Sequence, residues 1–307
     1  MNSDFHKQSL ASHDRYDYSA IVDRPGFEWP GGKGLAVYIA VNLEHFPFGT
    51  GMGHALAPPQ PEPDVMNYAW RDYGNRVGIW RLLEEFDRFQ LPFAGLLNTA
   101  LIEYAPSLID ALKRASCEIV GHGRSNGERQ SQWDEPTERS MIEAVTRDLT
   151  ETFGQAPAGW MGPWVAESRV TPDLLAEVGY RYVMDWGMDD QPVWLRTRDG
   201  GRMLSIPYPR PSNDIALLHG HHMTPRAYTE ILIDQFDEML DQSASAPLVF
   251  NLSLHPFLVG QPFRLRALRV FFEYMASRRD EIWLTTPGEI CRHVESLEAG
   301  SCPDSDE

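Results

Sequence analysis

An apolar run near the start of the chain predicts a buried strand that ends in polar residues. Residues 34–41 are nearly all apolar, with β-branched and aromatic side chains and no charge. Such a run is typical of a strand that is buried on both faces of a parallel sheet. Asn42, Glu44 and His45 follow at its carboxyl end. Because ligands bind at that end of the strands in α/β folds, these side chains are candidates for a functional site, with ordinary loop residues as the alternative.

The rest of the chain alternates short apolar runs with stretches of helical spacing. Further strands are predicted over residues 93–97, 118–120, 160–161, 182–184, 248–254 and 282–284, and helices over 75–86, 106–114, 136–153, 171–179, 225–240, 263–279 and from 287 onward. A hairpin about Asp199-Gly200-Gly201 is inserted between the fifth and sixth strands. This order predicts an α/β protein, a distorted, incomplete (β/α) barrel of about seven parallel strands. A doubly wound open sheet is the alternative, although no glycine-rich phosphate loop favours it.

The same pattern sets the boundaries of the domain. Residues 1–28 are predicted to form an N-terminal arm, residues 29–297 a single (β/α) barrel catalytic domain, and residues 298–307 a disordered acidic tail. A Gly/Pro-rich stretch over residues 46–64 has no clear period, and we expect an ordered loop over the strand ends or a lid. Because the arm and this loop are long for a compact monomer, we predict that both are ordered by a partner subunit or by closing over the pocket. This favours a homo-oligomer, most simply a dimer or tetramer.

The net charge of −17 narrows the possible partners. It argues against nucleic acid or an anionic membrane surface, and it says little about small neutral substrates. No run reaches the roughly 18 apolar residues of a membrane helix, and residues 1–24 lack the apolar core of a signal peptide. With three cysteines and no CxxC spacing, the sequence predicts a cytoplasmic protein without a disulfide framework.

Titratable side chains recur where the predicted strands end, which would place them at one mouth of a barrel. Glu44, His122 and His255 each follow such a strand. Glu44 is a candidate general base, because an aromatic-lined pocket is expected to move its pKa toward neutrality and let it take a proton from water. His255 is a candidate for polarising a carbonyl group or protonating a leaving nitrogen. A lone histidine is more often structural, but the recurrence of these residue types favours a site.

Aromatic and amide side chains add to the candidate site. Trp164 and Trp186 follow the fourth and fifth strands and are candidates for flat walls around a planar ring, with burial in the core as the alternative. His122 and Asn126 have the i, i+4 spacing of two metal ligands on one helical face, although Asn is a poor zinc ligand. The run His219-Gly220-His221-His222 lies in a predicted loop and is a weaker metal candidate.

These strand-end motifs resemble those of the polysaccharide deacetylase superfamily, whose distorted barrels carry Thr-Phe-Asp-Asp, His-xxx-His, Arg-x-Pro and Leu-x-His motifs. The corresponding segments are Asn42-Leu43-Glu44-His45, His122 with Asn126, Met161-Gly162-Pro163-Trp164, and Leu254-His255. The sequence resembles more closely the branch of metal-independent bacterial allantoinases and cyclic-imide hydrolases, through Trp29-Pro30-Gly31-Gly32, Asn42-x-Glu44, Pro207-Tyr208 with Asn213-Asp214, and Leu254-His255-Pro256 with Gly260-Gln261-Pro262. The resemblance covers about residues 25–295.

The resemblance implies a hydrolase that opens a small cyclic amide, imide or ureide, so that it acts on carbon–nitrogen bonds other than peptide bonds. Water activated by Glu44 would attack a ring carbonyl. The expected catalytic residues are Glu44, His122 and His255. The expected substrate-binding residues are Asn42, His45, Asn126, Trp164, Trp186 and Asn213.

No metal cofactor is expected, because the family's metal ligands are an Asp and two His, and two of these three are changed. His45 stands in place of the Asp and Asn126 in place of the second His, while Met161 replaces the arginine of the third motif. The alternative is a metal-dependent deacetylase of N-acetylated sugar or peptidoglycan, with one divalent ion (zinc, manganese or cobalt) near His45 and His122. A third possibility is a barrel that binds a ligand without catalysis, against which the presence of both Glu44 and His255 counts.

Overall fold

The apolar run forms the central strand β1 (Leu35–Leu43), all of which is buried. A computed structural model describes residues 13–49, 56–57, 61–115, 117–298 and 300–303. Strand β8 (Leu248–Leu254) pairs with β1 in parallel along most of its length. Strand β2 (Ala94–Leu97) pairs with the carboxyl half of β1, and β9 (Trp283–Thr285) pairs with the amino half. The strand predicted to be buried on both faces therefore lies within the sheet.

Nine strands form one sheet in the described part of the chain. The remaining strands are β3 (Glu118–Gly121), β4 (Gly159–Trp160), β5 (Tyr182–Val183), β6 (Val193–Arg196) and β7 (Arg202–Ser205). The pairing runs β6-β7-β5-β4-β3-β2-β1-β8, with β9 on β1, and only β6 is antiparallel to its neighbour. The prediction of an incomplete barrel is confirmed. The sheet has one more parallel strand than the expected seven, because β7 of the hairpin pairs in parallel with β5.

Helices connect most of the strands. They are α1 (Val65–Tyr73), α2 (Ile79–Phe89), α3 (Ala100–Tyr104), α4 (Pro106–Ala115), α5 (Glu135–Phe153), α6 (Thr171–Val178), α7 (Pro225–Gln242), α8 (Pro256–Val259), α9 (Pro262–Ser277) and α10 (Pro287–Ser296). The helix expected from residue 75 instead begins with α1, where the Asp64 side chain accepts a hydrogen bond from the Asn67 N–H at 3.1 Å. A π-helical segment over residues 74–78 then joins α1 to α2.

Alternation along β1 explains where the site lies. The odd-numbered residues of β1 pack in one hydrophobic cluster together with residues of the surrounding helices, whereas Ala36, Tyr38 and Ala40 belong to a second cluster with Trp29. Side chains of a strand alternate between its two faces. Asn42 continues the even-numbered series at the carboxyl end of the strand, and Glu44 follows two residues later.

The described ends of the chain lie along β6, the outermost strand. The Arg196 N–H donates to the Arg15 carbonyl at 2.8 Å, and the Trp194 N–H donates to the Pro303 carbonyl at 3.0 Å. Arg15 also forms a buried bidentate ion pair with Asp173, at 2.6 and 2.7 Å. The described part of the arm thus packs against its own chain.

Parts of three predicted segments fall outside the described residues. These parts are residues 1–12 of the arm, 50–55 and 58–60 of the expected lid loop, and 299 and 304–307 of the expected tail. In the described ranges, no helix has the length and apolar character needed to cross a membrane.

Candidate active site

The Glu44 carboxylate lies at the centre of the candidate site. Its side chain is only 8% exposed, and Oε1 accepts a hydrogen bond from Asn126 Nδ2 at 2.6 Å. The same oxygen is 3.7 Å from His122 Nε2 and 3.7 Å from His255 Nε2. The structure therefore brings residues from three distant segments of the sequence together at the Glu44 carboxylate.

The sheet places these four residues at one end of the barrel. Glu44 follows β1, His122 follows β3, and His255 follows β8. Asn126 is held by its own N–H, which donates to the His45 carbonyl at 2.9 Å. Because β1, β3 and β8 run in parallel, the residues after them meet at the same edge of the sheet, at the carboxyl ends of the strands.

A backbone carbonyl fixes the orientation of the His122 ring. His122 Nδ1 is 2.7 Å from the Met161 carbonyl oxygen, which can only accept, so Nδ1 carries the hydrogen. In the neutral ring, Nε2 is then a hydrogen-bond acceptor that faces Glu44. This nitrogen is buried and has no hydrogen-bond partner within the described residues. It is therefore free to bind a water molecule or a substrate atom next to Glu44.

Asp214 holds His255 through two contacts. Asp214 Oδ1 is 2.6 Å from His255 Nδ1, and Oδ2 accepts from the His255 backbone N–H at 2.6 Å. Burial lowers the pKa of His255, but the carboxylates of Asp214 and Glu44 raise it more, so that it lies above the ordinary value of 6.5. The protonated form that these contacts favour can donate a proton from Nε2 toward the site.

The pKa of Glu44 moves in the opposite direction to the one expected from the sequence. Burial does raise it, but the charge of His255, the His122 ring when Nε2 carries a proton, and the Asn126 amide together outweigh burial. The pKa therefore lies below the ordinary value of 4.5. Apolar surroundings alone would raise the pKa of Glu44, whereas the hydrogen-bond donors and positive charge around it stabilise the carboxylate. Glu44 is consequently ionised at neutral pH.

Buried amides support the residues around Glu44. Asn98, which is fully buried, donates from Nδ2 to the Asn126 Oδ1 at 3.1 Å and to the His122 carbonyl, and it accepts the His45 N–H at 2.8 Å. Asn42 donates to Tyr208 Oη at 2.9 Å, and Asn213 contacts the same hydroxyl at 3.2 Å. The amides of Asn42 and Asn213 are thus engaged within the protein, and their role as direct substrate ligands stays a prediction.

The two tryptophans lie in different surroundings. Trp164 Nε1 donates to the Asn126 carbonyl at 2.9 Å. The backbone φ of Trp164 is 69°, in the left-handed region that residues other than glycine rarely adopt. Trp186 Nε1 donates to Glu167 at 2.8 Å, and its ring packs against His13 and Tyr16 of the arm. Trp164 thus borders the Glu44 site, whereas Trp186 contacts the arm, Glu167 and the main hydrophobic cluster.

Asp214 and Arg71 belong to the site but were not among the candidate residues. Arg71 lies on α1, with its guanidinium 4.2 Å from the centre of the Phe46 ring, and it lines a small cavity together with Glu44. Asp214 precedes the short π-helical segment over residues 215–220. For Asp214, the available signal was the Asn213-Asp214 pair in the family resemblance. For Arg71, the amphipathic pattern of α1 was the only signal.

The residues at the position of the family metal site do not fit a zinc ion. Zinc is bound by about three nitrogen, thiolate or carboxylate ligands. His45 Nδ1 and His122 Nε2 are buried and lack hydrogen-bond partners within the described residues. The third position, Asn126, uses its amide for Glu44 and Asn98. Among the described residues, no cluster of three His, Cys, Asp or Glu side chains could hold a metal.

Comparisons with known proteins give both sequence and fold relatives. A protein named as a polysaccharide deacetylase from Schizosaccharomyces pombe is 25% identical over 300 residues, covering 86% of this chain and 91% of the relative. No protein-family model matches the chain.

Two solved structures share the fold over most of their length. PuuE allantoinase matches with a TM-score of 0.80 and 28% identity, covering 92% of this chain and 99% of that chain. A Pseudomonas aeruginosa protein, named as a polysaccharide deacetylase, matches with a TM-score of 0.77 and 29% identity, covering 86% and 92%. The sequence relative and both solved structures support the polysaccharide deacetylase superfamily, with an allantoinase-like branch, as what this chain is similar to.

Proposed function

We propose that this chain is a hydrolase that opens a small cyclic amide, imide or ureide. The observation that carries the proposal is the environment of Glu44, an ionised, buried carboxylate with two histidine Nε2 atoms at 3.7 Å from one of its oxygens. A base and a proton donor that lie side by side can serve both halves of an amide hydrolysis. The likeness to PuuE allantoinase supports a cyclic substrate.

The first half of the proposed reaction uses Glu44 as general base. A water molecule held between Glu44 and His122 Nε2 gives a proton to the carboxylate while its oxygen bonds to a ring carbonyl carbon. This forms a tetrahedral oxyanion. Because the water is already oriented by fixed groups, little order has to be gained when the bond forms.

The second half uses His255 as general acid. The oxyanion re-forms a carbonyl as the ring C–N bond breaks, and protonated His255 gives its Nε2 proton to the leaving nitrogen. Asp214 stabilises the imidazolium before this transfer. The proton taken up by Glu44 then restores His255, whose Nε2 is 3.7 Å from Glu44 Oε1. The net change is the addition of one water, giving an acid and an amine or amide.

A cyclic imide or ureide suits this residue set better than an acetamide. Its carbonyl is more electrophilic, and a second carbonyl stabilises the leaving nitrogen. The donor set around His45, His122 and Asn126 does not fit a zinc ion, and the proposal therefore routes no step through a metal.

A panel of compounds tests the proposal. The purified protein is incubated with cyclic imides, hydantoins, allantoin and chitin oligomers, and the products are identified by mass spectrometry. We expect a mass gain of one water on at least one cyclic compound. Release of acetate from the chitin oligomers without opening of any ring would overturn the proposal. It would favour the second candidate, a deacetylase, which the names of the Schizosaccharomyces pombe and Pseudomonas aeruginosa proteins support.

A further inference from the structure

Arg71 is a buried cation that the proposed reaction does not use. The residue is only 8% exposed, and its guanidinium stacks 4.2 Å from the centre of the Phe46 ring. Nη2 is buried and has no hydrogen-bond partner within the described residues. A buried charged donor without an acceptor carries a large desolvation cost. Such an arrangement is expected where a ligand supplies the acceptor.

The position of Arg71 identifies where that acceptor would be. Arg71, Phe46 and Glu44 line the same small cavity, whose volume of about 10 Å³ has room for a single oxygen atom and not for a ring. Arg71 is on α1, whereas Glu44 follows β1, so the cation and the proposed base approach the cavity from different elements. An oxygen atom that reaches Arg71 in this cavity would therefore also lie beside Glu44.

The surrounding charges indicate what kind of acceptor fits. The carboxylates of Glu44 and Asp64 already act on Arg71 and oppose the lowering of its pKa by burial. On the other side of the site, the charge of protonated His255 is matched by Asp214. Because Asp72 also lines the cavity, carboxylates outnumber the Arg71 guanidinium there, so that a neutral carbonyl oxygen fits better than a further carboxylate.

We propose that Arg71 binds a second carbonyl oxygen of the substrate ring, which makes the substrate a cyclic imide or ureide rather than a simple lactam. This inference rests on the proposed function. When the ring C–N bond of such a compound breaks, negative charge spreads from nitrogen onto the second carbonyl oxygen until His255 protonates the nitrogen. A guanidinium at that oxygen stabilises the charge and needs no other reactant.

The experiment compares a ring compound with its analogue in which the second carbonyl is a thiocarbonyl, a poorer hydrogen-bond acceptor. The enzymes are the wild type, Arg71→Lys, Arg71→Gln and Arg71→Ala. Arg76→Gln is the matched control, because Arg76 lies in the adjoining π-helical segment with its side chain 71% exposed. Thermal unfolding of each variant separates loss of fold from loss of binding.

We expect Arg71→Gln to lower kcat/KM for the oxygen compound by about 10- to 100-fold, the range of a charged hydrogen bond. It should also abolish the preference of the wild type for oxygen over sulfur. Arg71→Lys keeps the charge but not the planar fork, and we expect partial activity. Added guanidinium should restore part of the activity of Arg71→Ala, which a purely structural role would not allow.

The outcomes separate this inference from the proposed function. An unchanged oxygen-to-sulfur preference in folded Arg71→Gln overturns the role of Arg71 while leaving ring hydrolysis intact. If the wild type opens no ring, the binding of glutarimide is measured by calorimetric titration, which tests the role of Arg71 without catalysis. Binding by the wild type that is lost in Arg71→Gln but kept in Arg76→Gln supports the role of Arg71 although the proposed reaction fails. Binding of equal strength to wild type and Arg71→Gln, or no binding to either, overturns the role of Arg71.

Discussion

Replacement of Glu44 by Gln removes the proposed base with little change in shape. The amide is nearly the same size as the carboxylate, and its oxygen can still accept the Asn126 Nδ2 hydrogen bond that now measures 2.6 Å. It cannot take a proton from water at neutral pH. We therefore expect the Glu44→Gln variant to fold normally and to lose activity.

The size of the loss follows from two contributions. A general base typically contributes about 10²- to 10⁴-fold, which corresponds to roughly 2.7 to 5.4 kcal/mol of barrier. The charge of Glu44 also raises the pKa of His255, so the variant holds less of the proton donor in its acid form. Because both effects act in the same direction, we expect a loss toward the middle of that range, about 10³-fold.

The assay measures the initial rate of ring opening on the best compound of the panel. Circular dichroism and thermal unfolding verify the fold. Glu128→Gln is the control, because Glu128 is a partly exposed carboxylate paired with Arg124 at 2.7 Å, outside the site. We expect the control to keep wild-type activity. A folded Glu44→Gln variant with a rate within tenfold of the wild type would remove Glu44 from the mechanism.

Three further predictions concern pH, metal and assembly. The profile of kcat/KM should fall below pH 4.5, where Glu44 takes up its proton, and again above pH 6.5, as His255 loses its proton through a raised pKa. Asp214→Asn should move only the alkaline limb to lower pH, and an unmoved limb would contradict the role of Asp214. Activity should survive treatment with a chelator, and elemental analysis should find far less than one metal ion per chain. Chelator inactivation that zinc, manganese or cobalt reverses would indicate a metal enzyme, if the ion is also lost in His122→Ala. Light scattering at micromolar concentration should give a multiple of 34.9 kDa rather than a single chain.

The sequence predicts the strands and their ends well, because burial on both faces leaves a strong local pattern. β1 is a continuous apolar run as far as Val41, and β8 is mostly apolar with Asn251 and Ser253 within it. The residues after these strands, Glu44 and His255, meet in the structure. The parallel pairing of β7 with β5 was not predictable in this way. A hairpin has the same local signature whether or not its second strand joins the main sheet.

The parts of the site that the sequence misses depend on contacts between distant elements. Asp214 is 41 residues from His255 in the sequence. It holds His255 in place because its two carboxylate oxygens contact the backbone N–H and the Nδ1 of that residue. The lowered pKa of Glu44 likewise depends on donors from β3 and β8, which no local pattern reveals. Arg71 occupies the buried face of an otherwise ordinary amphipathic helix, and the Phe46 ring that it stacks on precedes that helix.

The terminal segments along β6 protect an exposed edge of the sheet. An unpaired edge strand presents free N–H and carbonyl groups that can template pairing with another chain. Here the N–H groups of Trp194 and Arg196 are already bound by the carbonyls of Pro303 and Arg15. Trimming both ends back to the barrel would uncover this edge and invite aggregation, even though the residues around Glu44 remain in place. Shortened versions of the protein intended for crystallisation or display therefore need to retain the segments that reach β6.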